Sequence, residues 1–193
     1  MPTTAPSFVG LVVSVEITTT ATGNLDDSEV DELESIVAQA YGVDPDDVTS
    51  VTEYVTTGTM TVSIPDSVSE DDALAALTSE MASTLGVSED SITLSLDSET
   101  GEVTYSITTT DYDETAAALA TLQDSDVVDN LATDSGVTVT NVTPSDDIVA
   151  EVNVVVNADE VTVPLQQAEN QVDALLGEDY NSDTEGKLFC MIV

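Results

Sequence analysis

The sequence predicts an α+β protein made of two successive β-α-β-β-α-β units, each a four-stranded antiparallel sheet with two helices on one face. Two repeats support this prediction. The segment YGVDPDDVT (residues 41–49) returns as LGVSEDSIT (residues 85–93), 44 residues later. The segment VEITTT (residues 15–20) returns as YSITTT (residues 105–110), 90 residues later. Internal repeats indicate that one supersecondary unit is built more than once.

The first unit opens with a strand at Phe8–Thr20, which is rich in Val, Ile and Thr. Asp26 or Asp27 can cap a helix that runs to Tyr41 and has its apolar residues at helical spacing. Gly42 follows, and glycine ends a helix at low cost because it accepts the left-handed conformation.

The rest of this unit alternates short apolar segments with turn residues. Val48–Val55 and Thr59–Ile64 predict two strands joined in a hairpin at Thr57-Gly58. A second helix is expected from Ser69 to Leu85, and a fourth strand at Ile92–Leu96.

The second unit shows the same order after the turn at Asp97–Gly101, which we therefore interpret as the boundary between two domains. Its predicted elements are a strand at Val103–Thr109, a helical stretch at Asp113–Thr133 interrupted at Asp124-Ser125, strands at Val137–Val142 and Val149–Val156, a helix from Pro164 or Leu165 to Leu176, and a closing strand at Lys187–Val193. We thus predict ferredoxin-like domains at 8–97 and 102–193, preceded by an extended N-terminal arm at 1–7.

The second unit resembles a SEA-type domain, a ferredoxin-like module of secreted and surface proteins. The resemblance lies in the broken first helix and in the segment VTVTNV (residues 137–142), which leads through Pro144-Ser145 to IVAEVNVVV (residues 148–156). Many such domains cleave themselves at a Gly-Ser in this hairpin. Here the site reads Ser145-Asp146-Asp147-Ile148, so the resemblance implies tandem surface domains without self-cleavage.

The charge of the chain is extreme: 39 Asp and Glu residues stand against one Lys and no Arg or His, a formal charge of −38. Without Arg or His there is no basic groove or phosphate clamp, so nucleic-acid binding is not expected. Ser–His and Cys–His nucleophilic pairs are excluded for the same reason. Catalysis by carboxylates alone, as in glycosidases, is still compatible with the composition. However, Trp is absent and aromatic residues make up 4% of the chain, which leaves few side chains to line a sugar-binding cleft. We therefore expect no enzyme.

Two acidic turns are candidate metal sites, with Ca²⁺ the expected ion. The loop after Gly177 places the oxygen-bearing side chains of Asp179, Asn181, Asp183 and Glu185 at alternate positions, and hard cations require oxygen ligands. Asp44, Asp46 and Asp47 form a similar cluster after the first helix. For both clusters the alternative is a solvated acidic loop with side chains capping turns.

Targeting signals are weak in these residues. No apolar run approaches the length of roughly 18 residues that a membrane-spanning helix needs. The N-terminal residues have neither the positive charge nor the apolar core of a signal peptide. Cys190 is alone, so a disulfide within the chain is impossible, and a small apolar residue in the last strand is the expected role.

These observations favour a non-catalytic acidic structural protein, a subunit of an extracellular or granule-stored filament or matrix whose partners are further copies of itself and divalent cations. Copies carrying −38 can pack only when cations screen their charge. A calcium or cation buffer that does not assemble is the first alternative. A soluble binding module from the cytoplasm of a halophile is the second, and an acidic inhibitor or nucleic-acid mimic is the third.

Overall fold

The computed structural model describes residues 12–131, 137–158, 167–168, 170–171, 181–182 and 189–191. Its strands are β1 (Val12–Thr22), β2 (Val48–Ser63), β3 (Ile92–Asp97), β4 (Glu102–Thr109), β5 (Thr138–Pro144), β6 (Val149–Ala158), β7 (Asn181–Ser182) and β8 (Phe189–Met191). Its helices are α1 (Asp27–Tyr41), α2 (Glu70–Leu85), α3 (Tyr112–Leu122) and α4 (Val127–Leu131).

The prediction of two tandem ferredoxin-like domains is wrong, because strands of both predicted units pair in one sheet. β4, which the prediction placed in the second domain, pairs antiparallel with β3 and with β2. β5, also from the predicted second domain, pairs antiparallel with β2. The hydrogen-bonded order of the sheet is β3-β4-β2-β6-β1-β7, with β5 beside β2 and β8 beside β1.

The predicted domain boundary at Asp97–Gly101 is instead a hairpin turn between adjacent strands. Asp97 and Glu102 are cross-strand partners, and the Gly101 N–H donates to the Asp97 carbonyl over 2.8 Å. Gly101 has φ of 70°, a conformation that glycine adopts without strain. The same turn residues suit a linker and a hairpin, so local sequence cannot separate the two.

The hairpin predicted at Thr57-Gly58 is also wrong, since β2 runs unbroken through both residues. Gly58 does not have a positive φ. A β-carbon at this position would overlap the phenol group of Tyr105 and lie 2.6 Å from the Thr143 carbonyl oxygen. Close packing between strands, rather than a turn, therefore requires glycine here.

The helix–turn–strand repeat, by contrast, is present as predicted. Gly42 and Gly86 end α1 and α2 with φ of 65° and 74°. Each is followed by a single turn of 3₁₀ helix whose first N–H groups are capped by a side chain, Asp44 in the first copy and Ser88 in the second. β2 and β3 begin directly after these turns.

Contacts between Cα atoms divide the chain into two units, each with its own core. The first comprises the described residues of 1–21, 25–52 and 150–193, and the second comprises 22–24 and 53–149, less the residues that are not described. In the first unit the inner side of α1 packs with β6, burying Leu33, Val37, Tyr41, Val152, Val154 and Val156. In the second unit α2, α3 and α4 contribute Leu77, Met81, Leu122 and Leu131, which pack with Met60, Val103 and Ile107. Each such side chain contributes about 1.5–3 kcal/mol when fully buried.

The ends of the chain are described only in part. Residues 189–191, within the predicted closing strand Lys187–Val193, are paired antiparallel with β1, Cys190 opposite Val13. Residues 167–168 and 170–171 are helical, inside the helix predicted up to Leu176. The predicted arm at 1–7 lies outside the described residues.

Candidate interaction surface

Strand alternation sends two chemically different sets of side chains to the two sides of the sheet in the second unit. On β4, Val103, Tyr105, Ile107 and Thr109 are buried, while the residues between them are exposed or half-buried. β2 alternates in the same way from Tyr54 to Ser63. Because α2, α3 and α4 pack on the buried side, the other side faces solvent.

This solvent side carries a regular array of hydroxyl groups. The register aligns Thr143, Thr59, Thr104 and Ser95 in one row across β5, β2, β4 and β3. A second row contains Thr57, Ser106 and Thr93. We call these seven residues the hydroxyl face. All seven are exposed or half-buried, none is charged, and neighbouring strands lie about 4.8 Å apart.

Acidic side chains occur on this side of the sheet only at the margin of the hydroxyl face, as far as the described part of β2 to β5 is concerned. Asp97 and Glu102 are cross-strand partners at the β3–β4 turn. The backbone N–H of Glu99 donates to the Asp97 carboxylate over 2.9 Å and, with help from Thr100, lowers the pKa of that carboxyl. The Asp97 carboxylate thus stabilises the β3–β4 turn. Glu53 on β2 is half-buried at the opposite margin of the hydroxyl face.

The remaining acidic residues concentrate at helix starts and turns. Asp26 caps α1 by accepting from the Ser28 and Glu29 N–H groups, and the Glu29 carboxylate accepts from the Asp26 N–H over 2.8 Å. The Ser28 hydroxyl is the largest cause of a lowered pKa at Asp26. Ser69 and Asp111 cap α2 and α3, whose first turns carry further carboxylates. Negative charge is favourable there because of the helix dipole.

Helix C-termini, in contrast, have no compensating cation: α1, α2 and α3 carry no basic residue in their last turns. In the second unit the described carboxylates lie on the helices, in their caps and in the turns, apart from Glu53, Asp97 and Glu102 at the margin of the hydroxyl face. The hydroxyl face itself is neutral.

The three residues of the first predicted metal cluster differ in what they do in the turn after α1. The Asp44 carboxylate accepts from the Asp46 N–H over 3.1 Å and caps the 3₁₀ turn. Asp46 is exposed and Asp47 half-buried. Throughout the described ranges, no three His, Cys, Asp or Glu side chains are grouped so that they could hold a metal ion. Calcium binding at Asp44, Asp46 and Asp47 stays a prediction.

The second predicted metal cluster lies almost wholly outside the described residues. Asp179, Asp183 and Glu185 are not described. Asn181 belongs to β7, where it is paired with Thr20 of β1.

Several hydroxyl groups of the second unit have structural partners. Thr115 and Thr109 share a hydrogen bond of 2.8 Å, and Thr109 also donates to the Asp111 carbonyl over 2.7 Å. In the hairpin that resembles a SEA cleavage site, the Ser145 hydroxyl donates to the Asp147 carbonyl over 2.9 Å, and its N–H donates to the Thr57 carbonyl over 2.8 Å. These groups hold the strands and caps in place.

Tyr105 differs from them, because its buried hydroxyl has no hydrogen-bond partner within the described residues. Its side chain is 1% exposed, and burial raises the pKa of the phenol to about 12. Its side chain packs within the core of the second unit.

The clefts of the second unit are shallow. One of about 370 Å³ lies where β2 ends and α2 begins, and its lining includes Ile64, Val68, Glu70, Leu96 and Ser98. The Ser98 hydroxyl donates to the Glu70 carboxylate over 3.1 Å. This Ser–carboxylate contact is solvent-exposed and the lining is mixed, so the hydroxyl face is the more distinctive surface.

Sequence reasoning missed the hydroxyl face, although a signal was present. Hydroxyl-bearing residues occupy alternate positions, Thr57, Thr59 and Thr61 in TTGTMT (residues 56–61) and Thr104, Ser106 and Thr108 in TYSITT (residues 104–109). Alternation predicts one hydroxyl-bearing side on each strand. Only the register shows that these sides align across four strands.

Comparison with known proteins found no matching family model, no matching curated protein and no matching solved structure. The resemblance of residues 102–193 to SEA-type domains therefore stays a prediction. No helix in the described part of the chain is long and apolar enough to cross a membrane.

Proposed function

We propose that the protein is a non-catalytic acidic structural protein, a subunit of an extracellular or granule-stored filament or matrix that assembles when cations screen its charge. The observation that carries this proposal is the segregation of charge described above. A chain with 39 acidic residues has a hydroxyl face of seven neutral side chains on four adjacent strands. Another acidic copy can approach such a neutral surface with less side-chain repulsion than it meets at the acidic turns.

Electrostatics determines when such copies can meet. At 0.1 M salt, charges interact over about 10 Å, and at 1 M this falls to about 3 Å. Copies of charge −38 therefore repel one another at low salt and can approach at high salt. Divalent cations could act at lower concentration, by binding carboxylates from two copies.

The N-terminal arm at 1–7 is the segment we assign to polymer growth. It carries no charged side chain and precedes β1, so it can approach another acidic copy without side-chain repulsion. Extended segments add to open sheet edges through backbone hydrogen bonds, which require no particular side-chain charge.

Light scattering and electron microscopy over a CaCl₂ series and an NaCl series of equal ionic strength test the proposal. We expect polymers that grow with cation concentration, and we expect deletion of residues 1–7 to abolish them. Calcium binding without a change in size would favour the cation buffer. A chain that folds only in molar KCl and remains monomeric would favour the halophile's binding module.

A further inference from the structure

We infer that Asn141 is an acceptor site for an N-linked glycan. It is the one asparagine of the chain with Ser or Thr two positions later, in the segment Asn141-Val142-Thr143, and the residue between them is not proline. The inference rests on the proposed extracellular or granule location, because chains that enter the secretory pathway receive such glycans. It assigns a covalent modification that the proposed assembly does not require.

A β-bulge in β5 turns the Asn141 side chain to solvent. The pairing of β5 with β2 shifts by one residue at Thr140, between Val139 and Asn141. Simple alternation from the buried Val139 would place residue 141 on the buried side as well. After the bulge Asn141 is exposed instead, and the half-buried Val142 packs against the core of the second unit. Bulges re-aim side chains in this way, and here the side chain turned outward is the carboxamide.

The carboxamide and the hydroxyl of the motif lie together on this side of the strand. Asn141 Nδ2 donates to Thr143 Oγ1 over 2.9 Å, and both residues are exposed. A carboxamide nitrogen carries two hydrogens, and this hydrogen bond uses one of them. A sugar can therefore replace the other hydrogen while the contact with Thr143 is kept.

The strand that carries Asn141 has an open side in the part of the chain that the structure describes. β5 pairs there with β2 alone. Both the bulge and Pro144 are features that natural sheets place on edge strands. A cleft of about 350 Å³ lies between β5 and the segment that joins α3 to α4, and Asn141, Val142 and Pro144 form part of its lining. A glycan at Asn141 therefore has room beside the strand, whether it is attached before or after folding.

The modification is a substitution at the anomeric carbon of an activated sugar. The co-substrate is a sugar chain carried on a lipid diphosphate, which a transferase of the secretory pathway supplies. A bond forms between Asn141 Nδ2 and the anomeric carbon, the bond from that carbon to the diphosphate oxygen breaks, and the diphosphate leaves with the electron pair. One N–H proton passes to a base of the transferase. The diphosphate is anionic, and residues 135–145 carry no charged side chain, so the segment around the acceptor does not itself repel the donor.

Secretory expression of the full chain tests the site. The chain is produced behind a cleavable leader in eukaryotic cells, and the secreted protein is weighed by mass spectrometry before and after treatment with peptide N-glycosidase. We expect a heavier fraction of the parent chain that the enzyme returns to the mass of the polypeptide, leaving aspartate at position 141. Asn141→Gln and Thr143→Ala should lose this fraction, whereas Thr143→Ser should keep it.

The matched control is Asn130→Gln, which should keep the heavier fraction. Asn130 is an exposed asparagine on α4 with no Ser or Thr two positions later. Pro144 restricts the backbone of Thr143 to extended conformations, which limits how the motif can bend into a transferase. We therefore expect modification of the parent chain to be partial and Pro144→Ala to raise the modified fraction.

The outcomes for the glycan and for the proposed polymer are distinguishable. A parent chain secreted without modification overturns the site, even where Pro144→Ala is modified. A heavier fraction that resists the enzyme or persists in Asn141→Gln also overturns it, since the sugar is then attached elsewhere. Sequencing of the modified peptide locates the sugar in the parent chain itself, so the result does not depend on the folding of any variant. If Asn141 is glycosylated and the chain stays monomeric across the salt series, the site stands and the proposed filament fails.

Discussion

Tyr105 and Gly58 are cross-strand partners on β4 and β2, and the Tyr105 phenol occupies the space that a β-carbon at position 58 would need. The contact lies on the helix-covered side of the sheet, behind the hydroxyl face. A large aromatic ring on one strand is thus accommodated by the missing side chain on the next. β2 pairs continuously with β4 through this position, where sequence alone predicts a turn.

Gly58→Ala is expected to destabilise the protein by about 1–3 kcal/mol, since an added methyl group overpacks a filled site. Urea unfolding followed by circular dichroism measures this change. In a Tyr105→Val background the whole phenol ring is gone, so the alanine substitution should cost less, and the Thr143 carbonyl oxygen, 2.6 Å away, is the contact that stays. Equal losses in both backgrounds would show that the contact with the ring is not the cause.

The ionisation of Tyr105 should destabilise the fold at high pH. Its pKa is raised to about 12 in the folded protein, against 10.0 for an ordinary tyrosine. The stability that depends on the neutral phenol is therefore complete below pH 10 and is lost as the pH rises through about 12. Melting temperatures between pH 8 and pH 12, compared with those of Tyr105→Phe, check this. The phenylalanine variant should lose less stability across this window, and at pH 8 it should be as stable as the parent or more so.

The cap at Asp26 should contribute stability that acid removes. Its pKa is lowered in the folded protein, so the contribution is present above the ordinary value of 3.8 and disappears as the pH falls through the lowered value. We expect Asp26→Ala to lower the urea midpoint at pH 7 but to have little effect near pH 2. Asp27→Ala is the matched control, because Asp27 lies in the same turn without capping it. Equal effects of the two substitutions at pH 7 would contradict this role.

Cations should stabilise the folded chain before any assembly occurs. The charge of −38 repels itself in the compact state, and screening relieves part of that repulsion. We expect the melting temperature at low ionic strength to rise with millimolar CaCl₂ and, less steeply, with NaCl. An equal rise with both salts at equal ionic strength would show that calcium acts only by screening the charge. A melting temperature that does not respond to either salt would rule the effect out.

Local features of the fold could be predicted because they depend on neighbouring residues. The helix ends at Gly42 and Gly86, the acidic cap at Asp26 and the strands that follow the two repeated turns are all present. Each is determined within a few residues by backbone conformation and capping chemistry. The candidate metal turn at Asp44 shows the limit of such reasoning, since a carboxylate that caps a turn and one that binds an ion have the same local sequence.

The sequence by itself determined the helices, the capped turns, the strong negative charge and the alternation of Thr with apolar residues along β2 and β4. Only the tertiary structure decided that Gly58 lies within a strand, that Asp97–Gly101 is a hairpin, and that strands of both predicted units share one sheet. The physical reason is that strand pairing is a long-range choice: β2 is hydrogen-bonded to β4 and β5, which follow it by some 40 to 80 residues, and alternation is compatible with many partners. The packing of Tyr105 over Gly58 favours one register, and that register aligns the hydroxyl groups of four strands into a single neutral face.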